Sequence, residues 1–497
     1  MNEQIEKRFT DLTALVKTYN KFDVLKLTKT WEFAKIAHEE QKRKSGELFV
    51  LHPLEVAIIL AQWKLDESTV LAGLLHDTID DGAAKRDDLV NEFGQDIANL
   101  VDGVTKVSDY KLRGNKEVES IENLRKLILV MARDLRVVFV KIADRLHNMR
   151  TLEYLPIDKQ KRVARETLNI YAPLAERLGM GEINGELNDL AFRYLYPTDY
   201  DKVEAKSKLV YKEAERQIRK MRSVILTHLS KENIKPTVIG REKRLYSLWK
   251  KLQREEINWD YSKIHDIVAL RIIVDKPEEC YLALGLVHKH YKPVPYLGIS
   301  DYIAQPKPNG YQSIHTKVFG PGGRITEVQI RTHTMHKQAE FGAASHISYN
   351  EMKSKGVSDE FLETQGTSTK QINKLSWVKE LVKWQKELTD SETYIEALKF
   401  DALMHRIFVF SPQGDVYDLP ANSTPVDFAY AVHSDLGKYI KSIKVNGKIA
   451  SLSHKLSNGD VVEITKTKNP QKPNKDWERF VKTIKARNKI RKELAKK

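Results

Sequence analysis

The stretch that decides the fold is D-Y-I-A-Q-P-K-P-N-G-Y-Q-S-I-H-T (301–316), followed after K-V-F-G by P-G-G (321–323) and R-I-T-E-V-Q-I-R (324–331). In the last segment the apolar Val328 and Ile330 alternate with polar residues. A period of two predicts a β-strand with one buried face and one open face. The P-G-G turn predicts a hairpin that brings the loop of the first segment beside that open face.

Polar groups of different chemistry are expected to meet at this hairpin. They are Lys307, Asn309 and Tyr311 from the loop, and Glu327, Gln329 and Arg331 from the strand. An aromatic ring can stack on a base, a lysine can bind phosphate, and a carboxylate can share a metal ion with phosphate groups. The set suits a nucleotide, although an ordinary hairpin with a solvated face contains the same residue types.

Length and composition indicate several globular domains. The 497 residues leave room for roughly three or four domains of the usual size. The hydrophobic fraction of 41% and charged fraction of 30% are typical of soluble proteins, and no apolar run is long enough to cross a bilayer. The N-terminus lacks the pattern of a secretory signal, so we expect a cytoplasmic protein with no membrane contact. The single Cys280 excludes an internal disulfide.

The net charge of +15 is concentrated at the C-terminal end. Residues 466–497 contain 13 Lys and Arg residues against 3 Asp and Glu residues, so +10 of the total lies there. Such a tail can bind nucleic acid electrostatically. A solvated basic helix is the alternative.

Residues 1–195 are expected to form an all-α domain, because apolar residues recur at helical spacing and glycines are sparse. Within it, F-V-L-H-P, L-L-H-D-T-I-D-D-G and K-I-A-D-R-L-H-N-M-R contain His52, His76, Asp77 and Asp144. Two imidazoles and two carboxylates from separate helices suit a divalent transition ion, with Mn²⁺ a reasonable candidate. A single histidine in an apolar helix is usually a core residue, but unpaired aspartates are rare there, so the set is more specific than its members.

The acidic run after His76 predicts catalytic chemistry. Asp77, Asp80 and Asp81 are spaced to share one helix face, with Gly82 as the helix stop. Three acids on one face repel each other. That arrangement makes sense if a cation is held there, or if one carboxylate acts as a general base toward an attacking water.

The H…HD…D order resembles the HD phosphohydrolase superfamily. Groups that would bind the phosphates of a substrate there are Arg43, Lys44, Ser45 and Asn148. Asn148 lies one helical turn after Asp144, on the same face. The alternative for residues 43–45 is an ordinary basic loop.

The second domain is expected to be α/β. G-R-E-K-R-L-Y-S-L-W-K-K-L (240–252) predicts a basic helix start, and H-D-I-V-A-L-R-I-I-V-D (265–275) predicts a buried strand with Asp266 at its mouth. Asp266 and Glu327, at the ends of neighbouring strands, can hold Mg²⁺ on a nucleoside triphosphate. Positive charge for the triphosphate would come from Arg241, Lys243, Lys251 and Arg271.

Beyond this domain, residues 350–372 are typical of a mobile connector and Ile372–Leu398 of a helical pair. R-I-F-V-F-S-P-Q-G-D-V-Y-D-L-P (406–420) predicts a hairpin turning at Pro412–Gly414, followed by a helix from Pro425 to Val432 and short strands. A small mixed domain is the expectation.

Together these motifs resemble the RelA/SpoT family of long guanosine tetra- and pentaphosphate, (p)ppGpp, synthetase/hydrolases, with the motifs in the family's order from about residue 20 onward. The resemblance implies a multidomain α and α/β protein: an all-α HD hydrolase domain, an α/β nucleotidyltransferase-like synthetase domain with a mixed sheet, a helical connector and a β-grasp TGS domain. The expected boundaries are 1–195 for the hydrolase, 196–348 for the synthetase, 349–400 for the connector, 401–466 for TGS and 467–497 for a basic C-terminal helix. The family transfers pyrophosphate from ATP to the 3′-hydroxyl of GDP or GTP and also removes it.

Carried onto this chain, the resemblance assigns roles in both domains. In the synthetase, Mg²⁺ would be held by Asp266 and Glu327, with Glu327 also activating the 3′-hydroxyl, and Tyr311 would stack on guanine. The nucleotide-binding set would be Arg241, Lys243, Lys251, Arg271, Lys307, Asn309, Gln312, His315, Gln329 and Arg331. In the hydrolase, His52, His76, Asp77 and Asp144 would bind Mn²⁺, with Asp80 and Asp81 at the attacking water.

Some positions depart from the family's pattern. The family usually has Glu-Asp where this chain has Asp80-Asp81, so the first carboxylate is one methylene short and we expect slower hydrolysis. Gly298–Asp301 matches neither the basic nor the acidic signature that sorts bifunctional members from synthetases.

In the TGS-like module, V-H-S-D-L-G would place His433 at the 3′ end of uncharged tRNA, although by type it is an ordinary surface histidine. Longer members continue into further modules, so we expect either a naturally short or a truncated chain, with possible tRNA contact and no firm expectation of ribosome binding.

The sequence therefore predicts a bifunctional enzyme in the stringent response. Because two opposing activities running at once only consume ATP, we expect nucleotide at one site to disfavour the active form of the other. Two alternatives stay open: a hydrolase whose synthetase half only senses nucleotide, and a tRNA-binding regulator with vestigial sites.

Overall fold

The computed structural model describes residues 2–19, 22–108, 129–131, 133–264, 266–295, 298–307, 309–344 and 406–495. The predicted connector and helical pair between residues 349 and 400 lie outside these ranges. The chain divides into two units, Met1–Ile372 and Asn373–Lys497. No helix in the described ranges is long and apolar enough to cross a membrane.

The first part of unit 1 is helical throughout the described ranges, and its main α-helices are the following. They are α1 (Asn2–Val16), α2 (Val24–Ala37), α3 (Leu51–Gln62), α4 (Glu67–Leu75), α5 (Arg86–Phe93), α6 (Gln95–Ser108), α7 (Arg136–Arg150), α8 (Ile157–Glu166), α9 (Ala172–Arg177) and α10 (Gly181–Leu195). Helix α3 packs against α1, α4 and α7. It is buried on nearly every side, since its residues from His52 to Ala61 are apolar apart from His52 and Glu55. The all-α prediction is confirmed, and the central helices position the polar residues they contain.

A 35-residue helix, α11 (Pro197–Lys231), leads to a five-stranded sheet. The remaining elements of this part are β1 (Thr237–Glu242), α12 (Leu245–Leu252), β2 (Val268–Val274), α13 (Pro277–His290), β3 (Ile299–Asp301), β4 (Ile314–Phe319), β5 (Ile325–Thr332) and α14 (His333–Phe341). Buried residues of α11 recur every three or four positions, as in Ala214, Ile218, Met221 and Ile225. This stripe packs α11 onto the sheet.

The sheet is mixed, with strand order β1-β2-β5-β4-β3. Strands β2 and β5 are parallel, with Leu270 opposite Val328, and every other pair is antiparallel. The predicted hairpin is β4–β5, with Pro321–Gly323 at its turn. Since parallel neighbours start at the same edge, Asp266 before β2 and Glu327 early in β5 lie near each other. The α/β prediction is confirmed.

Three local expectations are wrong. Arg241 lies on edge strand β1, because residues 237–242 pair with β2, and the helix starts only at Leu245. Helix α4 ends at Leu75, so the acidic run lies on the turns that follow, although Asp81 N still donates to Asp77 O at 2.9 Å. The supposedly open face of β5 is covered by α14, which leaves Arg331 only 1% exposed.

The helical part and the sheet part of unit 1 meet through backbone. Ala343 N donates to Leu178 O at 2.7 Å. Gly342 has a φ of +54°, and a Cβ there would collide with the carbonyl groups of Leu178 and Gly179. Glycine is thus required at this position for both conformation and space.

Unit 2 is a small mixed domain with two sheets. It contains β6 (Arg406–Phe410), β7 (Val416–Pro420), α15 (Pro425–Val432), β8 (Ile440–Val445), β9 (Lys448–Ala450), β10 (Val462–Lys466) and α16 (Ile484–Leu494). The β6–β7 hairpin and the bounds of α15 are as predicted, whereas β9 was missed. The basic tail is anchored on one side, because α16 buries Ile484, Ala486 and Ile490.

A buried carboxylate ties α16 to α15. Asp427 is fully buried, and its Oδ2 accepts hydrogen bonds from Thr424 N and Oγ1, both at 2.8 Å. Its Oδ1 accepts from Lys482 N at 2.9 Å and from Thr483 N at 2.7 Å. One side chain therefore satisfies the N-termini of two helices.

We expect Asp427→Ala to lower the free energy of unfolding of unit 2 by about 3 kcal/mol, because several buried donors lose their acceptor. Calorimetry of the full chain measures this. The control is Asp435→Ala, since the Asp435 side chain is 48% exposed and its ion pair with Lys438 is at the surface. Equal effects of the two changes would contradict the structural role of Asp427.

Candidate active sites

Four polar side chains from three parts of the helical region converge. His52 Nε2 lies 3.6 Å from Asp77 Oδ2 and 3.3 Å from Asp144 Oδ1. His76 Nε2 lies 3.3 Å from Asp77 Oδ1 and 4.0 Å from Asp144 Oδ1. His52 comes from α3, His76 and Asp77 follow α4, and Asp144 lies on α7. The residues predicted to bind Mn²⁺ are thus in one place.

This cluster fits a divalent cation. Ligand atoms of His52, His76 and Asp144 all lie within 4.8 Å of one another. His76 Nδ1 donates to Gly73 O at 2.8 Å, which leaves a lone pair on Nε2. That Nε2 is buried and has no hydrogen-bond partner in the described part of the chain. A buried acceptor facing two carboxylates is the environment of a metal ligand.

Electrostatics keep His52 and Asp144 in the forms that bind a metal. Burial lowers the pKa of His52, although Asp144 opposes this effect. Burial alone would raise the pKa of Asp144, but the neighbouring His52 and the charge of Lys141 hold that pKa well below its usual range. Lys141 Nζ lies 3.7 Å from Asp144 Oδ2.

The two acids predicted at the attacking water differ in environment. Asp80 is exposed on the turn after α4. Asp81 Oδ2 lies 3.6 Å from Nδ1 of the buried His38. Burial and the neighbouring charge of Asp77 raise the pKa of Asp81, which makes it a stronger base than an ordinary aspartate.

Of the predicted phosphate-binding groups, Arg43 is tied into the cluster. Its Nη2 donates to Asn148 Oδ1 at 2.7 Å, and Asn148 Nδ2 donates to Asp144 Oδ1 at 2.5 Å. Lys44 is exposed, and Ser45 Oγ donates to a nearby glutamate. Arg43 is thus connected to the metal-ligand candidate Asp144 by hydrogen bonds through Asn148.

Sequence reasoning missed His147, which is buried and lies 2.7 Å from His52, Nδ1 to Nδ1. Burial and the neighbouring His52 lower the pKa of His147 to about 2. The available signal was its position in R-L-H-N, one helical turn from Asp144.

In the sheet region, a hydrogen-bonded chain connects the predicted stacking ring to a carboxylate. Tyr311 Oη lies 2.8 Å from His315 Nε2, and His315 Nδ1 lies 3.0 Å from Glu327 Oε1. Because a carboxylate only accepts, Nδ1 donates to Glu327, so Nε2 of the neutral ring accepts from the phenol. Gln329 Nε2 also donates to Glu327 Oε1 at 3.0 Å.

These bonds control the charge of Glu327. Burial alone would raise its pKa, but the hydrogen bonds donated by His315 and Gln329 lower the pKa of Glu327 to about 2. The carboxylate is therefore ionised at neutral pH. It suits cation binding better than proton abstraction, since a base with so low a pKa is weak.

The loop cation is held over aromatic rings. Lys307 Nζ lies 4.5 Å from the ring centroid of Tyr302 and 5.0 Å from that of Tyr311. Tyr302 was not predicted, although it lies in the opening stretch. Asn309 Oδ1 accepts from Tyr311 N at 3.2 Å and Gln312 Nε2 donates to Ile303 O at 3.5 Å, so both amides brace the loop.

The second acid of this site is paired with lysines. Lys243 Nζ lies 2.8 Å from Asp266 Oδ2, and Lys251 Nζ lies 2.8 Å from Oδ1. Burial opposes ionisation, but the two ammonium groups hold the pKa of Asp266 well below its usual range. The charge of Asp266 in turn acts against ionisation of Glu327, as expected for neighbouring acids.

Two predicted arginines are buried together. Arg271 Nη1 lies 3.0 Å and Arg331 Nη2 lies 3.2 Å from Glu340 Oε1, and Arg331 Nη2 also donates to His336 Nδ1 at 2.8 Å. Burial and Arg331 lower the pKa of Arg271 to about 10. Sequence reasoning missed Glu340 and His336, because their helix was not expected to fold back over the strand.

A cavity of about 550 Å³ adjoins β1. Its lining includes the predicted Arg241 and Lys243, together with Arg219 and Arg222 from α11, which were not predicted. The volume is in the range of a nucleotide-sized ligand. In unit 2, the predicted tRNA contact His433 is exposed at the end of α15.

The fold and the sites together define the class of protein. An HD-type helical domain with a candidate divalent-metal cluster is joined to a mixed-sheet domain with acidic strand ends. A small third domain follows. Family models agree: "HD domain" matches residues 30–181, "Region found in RelA / SpoT proteins" matches 240–354, and "TGS domain" matches 407–466. The chain belongs to the RelA/SpoT family, as the sequence motifs predicted.

Relatives of this chain carry names for both activities. It is 46% identical to a GTP pyrophosphokinase of Myxococcus xanthus, over 94% of this chain and 60% of the relative. It is 42% identical to a guanosine-3′,5′-bis(diphosphate) 3′-pyrophosphohydrolase of Aquifex aeolicus, over 95% of this chain and 64% of the relative. It is 43% identical to the bifunctional (p)ppGpp synthase/hydrolase SpoT of Escherichia coli K12, over 97% of this chain and 67% of the relative. The chain thus spans about 60% of the length of the Myxococcus relative.

The low pKa of Glu327 predicts a pH-dependent contribution to stability. A carboxyl whose pKa is lowered on folding stabilises the protein above its unfolded value of 4.5, and this contribution is lost as the pH falls toward about 2. We expect Glu327→Gln to lower the free energy of unfolding at pH 7 by up to about 3 kcal/mol, and by much less at pH 3. Denaturant titrations of the full chain at both pH values measure this difference. Glu256→Gln, at an exposed position, is the control. The expectation would be refuted if the difference in free energy of unfolding between Glu327→Gln and the wild type stayed constant or grew as the pH fell.

Proposed function

We propose that this chain is a bifunctional enzyme that transfers pyrophosphate from ATP to the 3′-hydroxyl of GDP or GTP and hydrolyses the 3′-pyrophosphate of (p)ppGpp. The observation that carries the proposal is the presence of two separate charged clusters in one chain. One is the histidine and aspartate cluster of the helices, and the other is the Asp266 and Glu327 pair of the sheet. The relatives' names fit the two activities.

In the proposed hydrolase, His52, His76, Asp77 and Asp144 hold Mn²⁺, which suits their mixed nitrogen and oxygen donors. When bound, the metal polarises the phosphoryl group and favours ionisation of water. Asp81 is the proposed base, because its raised pKa makes it a stronger proton acceptor than an ordinary aspartate.

Substrate phosphates in this domain would meet the cations of residues 43–45. Arg43 and the exposed Lys44 lie on the short turn that precedes α3. Asp80, which would assist at the water, is one methylene shorter than the family's usual glutamate. Hydrolysis is therefore proposed to be slower than in relatives with glutamate there.

In the proposed synthetase, Asp266 and Glu327 hold Mg²⁺, a cation that prefers carboxylate oxygens and substrate phosphates. Catalysis of phosphoryl-type transfer is mainly positioning and charge neutralisation. Lys243 and Lys251 supply positive charge at Asp266, and Arg241 supplies it from the adjoining cavity, where ATP is proposed to bind.

The acceptor nucleotide is proposed to lie at the opening stretch. Tyr311 stacks on guanine, with Lys307, Asn309, Gln312 and His315 around it. The acceptor hydroxyl would lose its proton near Glu327. Since the pKa of Glu327 is low, the His315 and Tyr311 chain is the better candidate to accept or relay that proton.

A tRNA contact of unit 2 is a second proposal. It is supported by the TGS match, by the exposed His433, and by the outer face of α16, where Lys485, Arg491 and Lys492 are exposed. Counterion release would make such binding strongly dependent on salt.

Two substitutions should separate the activities. Asp144→Ala should lower hydrolysis at least about 100-fold and change synthesis less than about 3-fold, because it removes a ligand from the helical cluster only. Glu327→Ala should do the reverse. The measurement is thin-layer separation of labelled products from ATP with GDP or GTP under Mg²⁺, and from (p)ppGpp with and without Mn²⁺.

The outcomes also separate the alternatives. Wild-type hydrolysis without synthesis would favour a hydrolase with a nucleotide-sensing half. Absence of both activities in the wild type would favour a tRNA-binding regulator and overturn the proposal.

We further propose that the two sites are coupled through the backbone contact at Gly342. GDP together with a non-hydrolysable ATP analogue should slow hydrolysis by the wild type, and Gly342→Ala should reduce that effect, since the methyl group displaces the contact. The control is Gly285→Ala, where an added methyl group meets nothing within 4 Å. Hydrolysis rates of the wild type that do not respond to the nucleotides would contradict coupling.

A further inference from the structure

We propose that His147 is a positioning residue for the metal-ligand candidate His52, with its own hydrogen-bonding polarity set by Arg43. The inference rests on the proposed metal site of the helical domain. Neither residue type nor spacing had singled out His147. It is buried on α7, 8% exposed, and its ring lies 4.9 Å from that of His52, centroid to centroid.

The geometry of His52 assigns its two nitrogens different tasks. Nε2 faces the carboxylates of Asp77 and Asp144, at 3.6 and 3.3 Å. Nδ1 faces away from them, 2.7 Å from His147 Nδ1. A neutral imidazole has one donor and one acceptor nitrogen, so a lone pair on Nε2 for the cation requires the proton on Nδ1. His147 Nδ1 must then be an acceptor.

Arg43 gives independent support for that polarity. Its Nη1 lies 3.5 Å from the same His147 Nδ1 and 3.1 Å from Thr151 Oγ1. A guanidinium can only donate, so a proton on His147 Nδ1 would face a donor on each side. With the proton on Nε2 of His147 instead, both neighbours of Nδ1 are satisfied.

Arg43 therefore supports two metal-ligand candidates by two routes. Through His147 it fixes the tautomer of His52. Through Asn148, whose Oδ1 accepts from Arg43 at 2.7 Å and whose Nδ2 donates to Asp144 at 2.5 Å, it orients the carboxylate. Outer partners of this kind commonly change metal affinity by about 10- to 100-fold when removed.

The test measures Mn²⁺ affinity of the full chain by calorimetric titration, with no substrate present. His147→Phe keeps a ring but removes the acceptor, whereas His147→Asn places an amide oxygen close to the position of Nδ1. We expect the Kd for Mn²⁺ to rise about 10- to 100-fold in His147→Phe and by less than about 3-fold in His147→Asn. Synthesis from ATP and GDP, carried out by the sheet domain, reports whether each variant is folded.

Each outcome decides between explanations. If His147→Phe does not fold, His147→Ala replaces it, with the same expected order of affinities. The positioning role would be overturned if His147→Phe bound Mn²⁺ as tightly as the wild type, or if both variants lost the same affinity. His147 would then have a packing role only. Absence of Mn²⁺ binding by the wild type would instead overturn the proposed metal site itself.

Discussion

Burial of ionised carboxylates is the constraint on which both candidate sites depend. A carboxylate removed from water is unfavourable unless charges or hydrogen bonds compensate it. Asp144 is compensated by Asn148 and Lys141, and Asp266 by two lysines. Glu327 is compensated by His315. The surrounding cations and donors are therefore part of each site, and not additions to it.

The partners come from distant parts of the chain, so the fold must bring them together. In the helical domain the cluster depends on α3, whose apolar surface fixes α4 and α7 around it. In the sheet domain the parallel pairing of β2 and β5 places the two acids at the same edge. Packing and strand register, which concern apolar residues, thus set the distances between polar ones.

The sequence predicted those features that follow from local pattern. The alternation of apolar and polar residues predicted β5, and a run of β-branched residues predicted β2. The order of histidines and aspartates predicted the cluster. It did not predict β1, because an edge strand with mostly exposed residues has no strong alternation. It also placed Arg331 on an open face, since covering by α14 is a tertiary contact that no local period encodes. His147 was missed for the same reason: its partners, Arg43 and His52, are about 100 positions away in sequence.

Histidine tautomers distinguish what the two sites can do with similar groups. In the helical cluster the outer nitrogens of His52 and His76 are occupied by a protein acceptor, so the inner nitrogens present lone pairs and can hold a cation. In the sheet site the order is reversed, because His315 donates to the acid itself and accepts from a phenol. That arrangement cannot use the Nε2 lone pair of His315 as a ligand without breaking the bond from Tyr311. Its Nε2 lone pair can accept a proton from the side of Tyr311 while Nδ1 keeps its bond to the acid. The same side chain thus leaves a lone pair beside the acids in one domain and donates to the acid in the other, and the difference comes from which ring nitrogen the fold satisfies.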